Sequence, residues 1–324
     1  MSRANIERRT FLSLLGATGV AGGVSMASVT NVERVVDRKS PGAAAGTLVL
    51  GGDLEVSRMG FGAMRITGDG IWGPPPDLDA ARNVLRRAHA LGVNFFDTAD
   101  SYGPNVSEEL IQQAMYPYPR GFVVATKGGM TRQGPNRWTA DCRPEHLRAA
   151  CEASLRRLKV QRHDLYQLHA VDSKVPYADS VGELARLQRE GKINHIGVSN
   201  VSVEQLAEAR GIVAVVSVQN RYNVADRGSE DVLQVCARDG IAFIPWGPLA
   251  QRAQSADELD PRLAALQKIS VARGISMAQA SLSWLLAKSP VMLPIPGTGK
   301  LRHLEENVRA AALGLSADEM RQIG

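Results

Sequence analysis

Four side chains that can hold or move a proton stand at the ends of three successive apolar segments of this chain. Asp97 and Tyr102 follow the first segment, Lys127 ends the second and His169 ends the third. Each segment has the length of a buried strand, and in a parallel barrel the carboxyl ends of the strands carry the catalytic groups. We therefore expect a carboxylate, a phenol, an ammonium and an imidazole to meet in one candidate catalytic site.

Taken singly, each of these residues has a more ordinary explanation. An Asp and a Tyr after a strand are common in turns, a lysine there is usually solvated, and a strand histidine is usually a satisfied polar group. Their occurrence at three consecutive strand ends favours a shared site. The histidines without such partners are interpreted as structural or surface residues: His89, His146, His163 and His195. A metal site is not predicted, because His169 near Asp172 offers too few ligands.

Strand-like and helix-like segments alternate along the chain. Eight strand and helix pairs follow two short segments around Gly51-Gly52-Asp53, a turn sequence typical of a β-hairpin. The predicted strands are 47–50, 54–56, 58–64, 93–97, 121–126, 165–168, 193–198, 213–218, 241–245 and 291–295; the predicted helices are 79–91, 107–115, 144–158, 179–190, 202–210, 230–238, 277–287 and 301–312. This order predicts an α/β fold, a (β/α)8 TIM barrel with an N-terminal β-hairpin. A doubly wound sheet is disfavoured, because Gly60 and Gly62 lack the third glycine of its dinucleotide fingerprint.

Composition limits the classes of function. The chain has 324 residues, is 44% hydrophobic and carries a net charge of +5. Residues 1–40 hold six basic and three acidic residues, so that the remainder carries only +2. A nearly neutral body gives no support for nucleic-acid binding. Three widely spaced cysteines, Cys142, Cys151 and Cys236, favour neither a disulfide scaffold nor a zinc site.

The N-terminus is typical of an export signal. Arg8-Arg9 precedes an uncharged run from Thr10 to Val32, and small residues follow near position 26. We interpret residues 1–30 as a twin-arginine signal, 31–46 as a linker and 47–324 as the barrel. This predicts an exported, extracytoplasmic protein that meets the export machinery. An uncleaved membrane anchor and a cytoplasmic chain with an N-terminal extension are the alternatives.

The motifs at the predicted strand ends resemble the aldo-keto reductase family. They are Phe96-Asp97-Thr98-Ala99 with Tyr102-Gly103, Thr126-Lys127-Gly128, Leu165-Tyr166-Gln167-Leu168-His169, Gly197-Val198-Ser199-Asn200, Gln219-Asn220, Pro248-Leu249 and Ile295-Pro296-Gly297-Thr298. The resemblance covers residues 47–324. It implies an oxidoreductase that reduces an aldehyde or ketone to an alcohol by hydride transfer.

The family's catalytic tetrad corresponds to Asp97, Tyr102, Lys127 and His169. Hydride addition leaves an oxyanion on the substrate, so Tyr102 is expected to act as the general acid. Lys127 is expected to lower the pKa of Tyr102, and Asp97 to keep Lys127 charged and oriented. His169 is expected to hydrogen-bond the substrate oxygen.

The resemblance also implies NADP(H) as cofactor, because none of the four residues can deliver a hydride. The implied cofactor-binding residues are Ser199, Asn200 and Gln219 at the carboxamide, Trp246 beneath the nicotinamide, Pro248 and Leu249 along the pyrophosphate, Gly297, Thr298, Lys300, Arg302 and His303 at the phosphates, and Glu306 and Asn307 at the adenine. Two positions depart from the family. Trp246 replaces the usual tyrosine, and His303 stands where some members have an arginine.

Two other functions remain open from the sequence. One is a non-catalytic NADP-binding regulatory module, since the fold also resembles a regulatory subunit of potassium channels. The other is a sugar hydrolase, for which Asp97 and Asp100 on one loop are a poor pair. The substrate is expected to be a small carbonyl compound, in a pocket shaped by the loops after the strands and walled by Trp72 and Trp138. No oligomeric state is predicted.

Overall fold

The computed structural model describes residues 39–249 and 260–324. The predicted export signal and the first part of the predicted linker lie outside these residues. The rest of that linker contains a short 3-10 helix, Pro41–Ala45, in which Gly42 and Ala45 are buried. Gly42 N donates to Leu91 O at 2.8 Å, so this segment packs against the body of the protein. No helix in the described part is both long and apolar enough to span a bilayer.

Two short strands open the body. β1 (Thr47–Leu50) pairs antiparallel with β2 (Leu54–Ser57). Gly51 and Gly52 take positive φ at the turn between them, a conformation that glycine adopts without a steric penalty. Leu50 and Val56 pack into the same apolar cluster as residues of the central sheet. The two strands therefore cover one end of that sheet.

Seven parallel strands form the central sheet. They are β3 (Phe61–Gly62), β4 (Phe95–Asp97), β5 (Val123–Gly128), β8 (His163–Leu168), β9 (Ile193–Ser199), β10 (Val215–Gln219) and β11 (Ala242–Phe243), adjacent in this order. Residues 291–296 join the two edges: Phe243 N donates to Val291 O at 2.9 Å, and Gly60 N donates to Pro294 O at 3.0 Å. This closure is consistent with the predicted (β/α)8 barrel. A separate antiparallel pair, β6 (Met130–Arg132) and β7 (Trp138–Ala140), follows β5 and was not predicted.

Helices follow the strands. They are α1 (Leu78–Ala90), α2 (Val106–Met115), α3 (Pro144–Leu158), α4 (Tyr177–Arg189), α5 (Val203–Ile212), α6 (Glu230–Asp239), α7 (Pro261–Arg273), α8 (Met277–Lys288), α9 (Leu301–Arg309) and α10 (Ala317–Ile323). α7 and α10 were not predicted from the sequence. Both carry start signals: Asp260 caps α7 ahead of a proline, and Ser316 with Glu319 forms a capping box for α10.

His163, at the start of β8, makes the stability of the fold depend on pH. Burial lowers its pKa to about 4, and its ring stays neutral against Cys151 O at 3.1 Å. As the pH falls below about 6.5, this histidine binds a proton in the unfolded chain but not in the folded chain, so the free energy of unfolding decreases. Between about pH 7 and pH 5 we expect His163 to lower the free energy of unfolding by about 2 kcal/mol.

Urea unfolding of the wild type and His163→Gln at both pH values checks this expectation. Glutamine keeps a donor for Cys151 O but cannot titrate. The variant should therefore lose less stability than the wild type on acidification. A parallel loss in the two proteins would contradict the assignment.

Candidate active site

Three of the four predicted catalytic residues meet around the Lys127 ammonium. Its Nζ donates to Asp97 Oδ2 and to Thr98 O, both at 2.8 Å, and to the Tyr102 hydroxyl at 3.4 Å. The Lys127 side chain is fully buried and that of Asp97 is 2% exposed. A buried ammonium of this kind is stable only when charged and polar partners replace its water, and here each of its three protons has one.

Two glutamines hold the other oxygen of Asp97. Gln219 Nε2 donates to Asp97 Oδ1 at 2.8 Å, and Gln167 Nε2 reaches the same oxygen at 3.3 Å. The carboxylate is thus fixed from β8 and β10, on the far side of the barrel interior, as well as by Lys127. From the sequence, Gln219 was expected to contact only the cofactor, and no role was predicted for Gln167. Gln167 lies two residues before His169, at the end of β8, and this spacing in an extended segment is the sequence signal that indicates a place in the site.

The electrostatics of Lys127 and Tyr102 follow from their burial. Burial opposes the Lys127 charge, but Asp97 and Tyr102 outweigh it, so the pKa of Lys127 is raised. Burial raises the pKa of Tyr102, and the opposing effect of Lys127 does not cancel it. Lys127 therefore lowers the pKa of Tyr102 as expected, but burial outweighs this effect, and the pKa of Tyr102 lies above its ordinary value. Tyr102 keeps its proton at neutral pH and remains a donor.

His169 lies beside this group as a neutral imidazole. Its ring is 5.8 Å from the Tyr102 ring, nearly perpendicular to it, and its Nδ1 lies 3.4 Å from Ser101 Oγ. Burial and the nearby Lys127 charge hold the pKa of His169 well below its ordinary value. A neutral imidazole has one N–H to donate. Ser101, for which no role was predicted from the sequence, contacts the ring at Nδ1.

Asp100, which the sequence analysis left as a loop residue, ends in a buried carboxyl. Burial raises the pKa of Asp100 to about 8, and its Oδ1 has no hydrogen-bond partner within the described residues. Behind it, Glu108 accepts from Thr126 Oγ1 at 2.5 Å and from Arg157 Nε at 2.6 Å. The Glu108 and Arg157 pair balances its own charge beneath the site.

A cavity of about 980 Å³ opens above the four residues, and Asp97, Tyr102 and His169 line it. Trp138 forms a wall, with its ring 6.2 Å from both the Tyr102 and the His169 rings. The Arg132 guanidinium stacks on the Trp138 ring, with its Cζ 3.7 Å from the ring centroid. The same guanidinium donates hydrogen bonds to Ile71 O and Ser101 O, and these contacts hold Trp138 in place. The Trp72 ring centroid lies 5.9 Å from Arg132 Cζ. Trp72 does not line the cavity, so the expectation that it walls the substrate pocket is wrong.

All of the predicted nicotinamide and pyrophosphate residues line this same cavity, together with Gly297 of the predicted phosphate site. They are Ser199, Asn200, Gln219, Trp246, Pro248, Leu249 and Gly297. Trp246 Nε1 donates to Asn200 Oδ1 at 2.8 Å, and Asn200 Nδ2 donates to His169 O at 3.0 Å. Asn200 has φ +59°, a left-handed conformation that asparagine tolerates better than most residues. The tryptophan at position 246 thus orients Asn200 through a bond that its indole N–H provides.

A second cavity of about 480 Å³ continues from Gly297 and contains part of the predicted phosphate site. Thr298, Lys300 and His303 line it, together with Arg65, which the sequence analysis did not select. The remaining predicted residues do not line either cavity: Arg302 is exposed, Glu306 is half-buried and Asn307 is buried. Within the described residues no three potential metal ligands come together.

Comparison with known proteins places this geometry in a family. The model of the aldo/keto reductase family matches residues 58–324. An uncharacterized oxidoreductase of Schizosaccharomyces pombe is 50% identical over 274 residues, which is 85% of this chain and 87% of that protein. Pyridoxine 4-dehydrogenase of Escherichia coli is 38% identical over 273 residues, covering 82% and 93%. An aldo-keto reductase from Klebsiella pneumoniae, solved in complex with NADPH, superposes with a TM-score of 0.71 at 28% identity, covering 86% and 93%. The chain belongs to the aldo/keto reductase family.

Proposed function

We propose that this protein is an NADP(H)-dependent oxidoreductase that reduces an aldehyde or ketone to an alcohol, with Tyr102 as the general acid. The observation that carries the proposal is the contact of the Tyr102 hydroxyl with the buried Lys127 ammonium, beside a neutral His169 at the base of a cavity. A phenol with its proton in place, next to a fixed cation, is suited to protonate an oxyanion.

Features of the chain fit the proposed cofactor. Trp246 is 37% exposed although it borders a cavity, which leaves apolar surface for a planar group to cover. The second cavity begins at Gly297 and ends at the first turn of α9, whose free N–H groups and basic residues favour phosphate. The Klebsiella pneumoniae relative was solved with NADPH, which supports the same choice here. When bound, NADPH supplies the hydride.

The four catalytic candidates have different roles in proton transfer and substrate orientation. Tyr102 donates its proton to the oxyanion that develops on the substrate, and the Lys127 charge stabilises the phenolate left behind. Asp97 fixes Lys127 through the 2.8 Å pair. His169 donates its one N–H to the substrate oxygen and orients it, because its lowered pKa keeps the ring neutral. In the reverse direction the phenolate takes up the proton of an alcohol.

The substrate proposed first is a planar aldehyde of moderate size. Trp138 presents a flat wall beside Tyr102 and His169, and the cavity of about 980 Å³ leaves room for a ring. The Escherichia coli relative is named for the oxidation of pyridoxine, an alcohol on a pyridine ring. Pyridoxal therefore belongs in the first substrate panel, beside benzaldehyde and short aliphatic aldehydes and ketones.

NADPH oxidation with this panel tests the function. We expect turnover with at least one planar aldehyde and tight NADPH binding in its absence. NADPH binding without turnover on any member would contradict the enzyme and favour the regulatory binding module. Absence of NADPH binding would contradict both.

Trp246 offers a separate prediction about the cofactor. Trp246→Phe keeps an aromatic face but removes the N–H that fixes Asn200. Loss of one neutral hydrogen bond is expected to raise the dissociation constant for NADPH by about 3- to 10-fold. Fluorescence titration with NADPH measures it, and Trp284→Phe, which changes a tryptophan outside both cavity linings, is the control. An unchanged constant would show that the indole N–H is dispensable.

A further inference from the structure

Ser101 contacts the imidazole of His169, although it belongs to none of the predicted motifs. It is 2% exposed and directly precedes the proposed acid, Tyr102. Its Oγ lies 3.4 Å from His169 Nδ1. Within residues 39–249 and 260–324 this hydroxyl has no other hydrogen-bond partner, and Ser101 does not line the main cavity. The hydroxyl therefore acts on a ligand in that cavity through His169.

The backbone of Ser101 is held by Arg132. Arg132 Nη1 donates to Ser101 O at 3.1 Å and to Ile71 O at 2.9 Å. Its Nη2 donates to Gly70 O at 2.8 Å, and the guanidinium also stacks on the Trp138 ring. Because one planar group binds all these segments, Ser101 cannot move away from the site without disturbing the wall of the cavity. The hydroxyl thus starts from a fixed point.

The ring of His169 is held as well. Its backbone N donates to Gly128 O at 2.9 Å, and its carbonyl accepts from Asn200 Nδ2 at 3.0 Å. The ring packs against those of Tyr102 and Trp138, with centroids 5.8 Å and 6.2 Å away. An imidazole fixed at its backbone and packed against two other rings has little freedom to turn Nδ1 away from the hydroxyl.

The two ring nitrogens of His169 have different surroundings. Nδ1 faces Ser101 Oγ. Nε2 makes no hydrogen bond within the part of the chain that the structure describes, and His169 lines the main cavity. Nε2 is therefore the ring nitrogen left for a ligand in that cavity. The ring is neutral, because burial and the Lys127 charge lower its pKa, so only one of its two nitrogens carries a hydrogen.

The Ser101 hydroxyl favours one of the two tautomers. With the hydrogen on Nε2, the lone pair of Nδ1 accepts the Ser101 O–H, and the Nε2–H is free to donate into the cavity. With the hydrogen on Nδ1, the buried Ser101 O–H would lose its acceptor, and Nε2 would turn a lone pair toward a substrate oxygen on which negative charge develops. The hydrogen bond at one nitrogen of a histidine decides which nitrogen carries the proton.

We infer that Ser101 is a positioning residue that holds His169 in the tautomer with its hydrogen on Nε2. The imidazole then donates a hydrogen bond to the substrate oxygen and does not compete with it as an acceptor. This inference rests on the proposed function, in which His169 orients the carbonyl group.

NMR of the full-length chain with ¹⁵N-labelled histidines and bound NADPH tests the tautomer directly. The chain has six histidines, and the signals that disappear in His169→Gln identify this one. We expect the hydrogen on Nε2 in the wild type, and on Nδ1 or shared between both nitrogens in Ser101→Ala. Ser281→Ala is the matched control: Ser281 is also 2% exposed, its hydroxyl donates to Met277 O within α8, and it lines neither cavity.

Steady-state kinetics on the same proteins complete the test. Ser101→Ala is expected to lower kcat/KM for aldehyde reduction by about 3- to 10-fold, the effect of one neutral hydrogen bond, with the dissociation constant for NADPH within about 2-fold of the wild type. A hydrogen on Nδ1 in the wild type would overturn the inference. So would a Ser101→Ala protein that matches Ser281→Ala in either its tautomer or its kcat/KM. Failure of the wild type to reduce any carbonyl compound would count against the proposed function instead, since the tautomer is measured without turnover.

Discussion

Tyr102→Phe is expected to reduce kcat for aldehyde reduction by about 10²- to 10⁴-fold, the range that a positioned proton donor contributes. The phenylalanine ring fills the same space against Trp138 and His169, so the cavity keeps its shape. Only the hydroxyl in contact with Lys127 is lost. NADPH binding should therefore stay within about 2-fold of the wild type, because this hydroxyl is assigned to the substrate oxygen.

Tyr118→Phe is the matched control for this experiment. The Tyr118 hydroxyl donates to Leu158 O on the outer side of the barrel, and Tyr118 lines neither cavity. Its removal should leave kcat within about 2-fold of the wild type. A Tyr102→Phe enzyme that retained a tenth or more of the wild-type kcat would contradict the assignment of Tyr102 as general acid.

Lys127→Met is expected to abolish activity and to destabilise the fold. Removing the ammonium leaves the Asp97 carboxylate buried without its cation, and breaking a buried pair in this way costs about 3–5 kcal/mol of the free energy of unfolding. The Tyr102 hydroxyl also loses the charge that stabilises its anion. Chemical unfolding and steady-state kinetics on the same variant measure the two effects.

The double variant Asp97→Asn with Lys127→Met separates stability from catalysis. It removes both charges, so it should recover part of the stability lost by Lys127→Met. It should not recover activity, since the cation beside Tyr102 is still missing. Recovery of turnover together with stability would mean that Lys127 has only a structural role.

The sequence was sufficient for the positions of the four catalytic candidates. Apolar segments that end in polar residues place those residues at one end of a parallel barrel, whatever the details of packing. The contacts of Gln167 and Ser101 depend on which strands and loops become neighbours. These contacts are set by the assembled barrel, because Ser101 belongs to none of the motifs and the motif around Gln167 does not indicate which carboxylate its amide will reach.

Burial explains why the pKa of Tyr102 is raised although Lys127 lowers it. The sequence places a cation beside the phenol, which suggests a lowered pKa, but it does not reveal how completely the barrel excludes water from the anion. The same effect raises the pKa of Asp100, a loop residue to which the sequence assigns no role, to about 8. Solvent exclusion is a property of the assembled barrel and not of any segment.

The structure of the loops above the barrel could not be predicted from local sequence patterns either. The pair β6 and β7 places Trp138 over the site. Each strand has only three residues, so the β-propensity of its sequence does not predict it. The contact of Arg132 in β6 with the Trp138 ring helps to hold the pair together. Arg65 likewise gains its position from the contact of Gly62 with Gly297. Such elements are set by tertiary contacts between residues that are distant in the sequence.

The most direct measurement of the central claim is isotope transfer from NADPH deuterated at C4 of the nicotinamide to a planar aldehyde such as pyridoxal or benzaldehyde. If Tyr102, Lys127 and His169 support hydride reduction, mass spectrometry of the alcohol will show one deuterium on the former carbonyl carbon, and Tyr102→Phe will slow the appearance of that product by about 10²-fold or more. Alcohol without deuterium, or bound NADPH that never transfers its label to any carbonyl compound, would contradict the account.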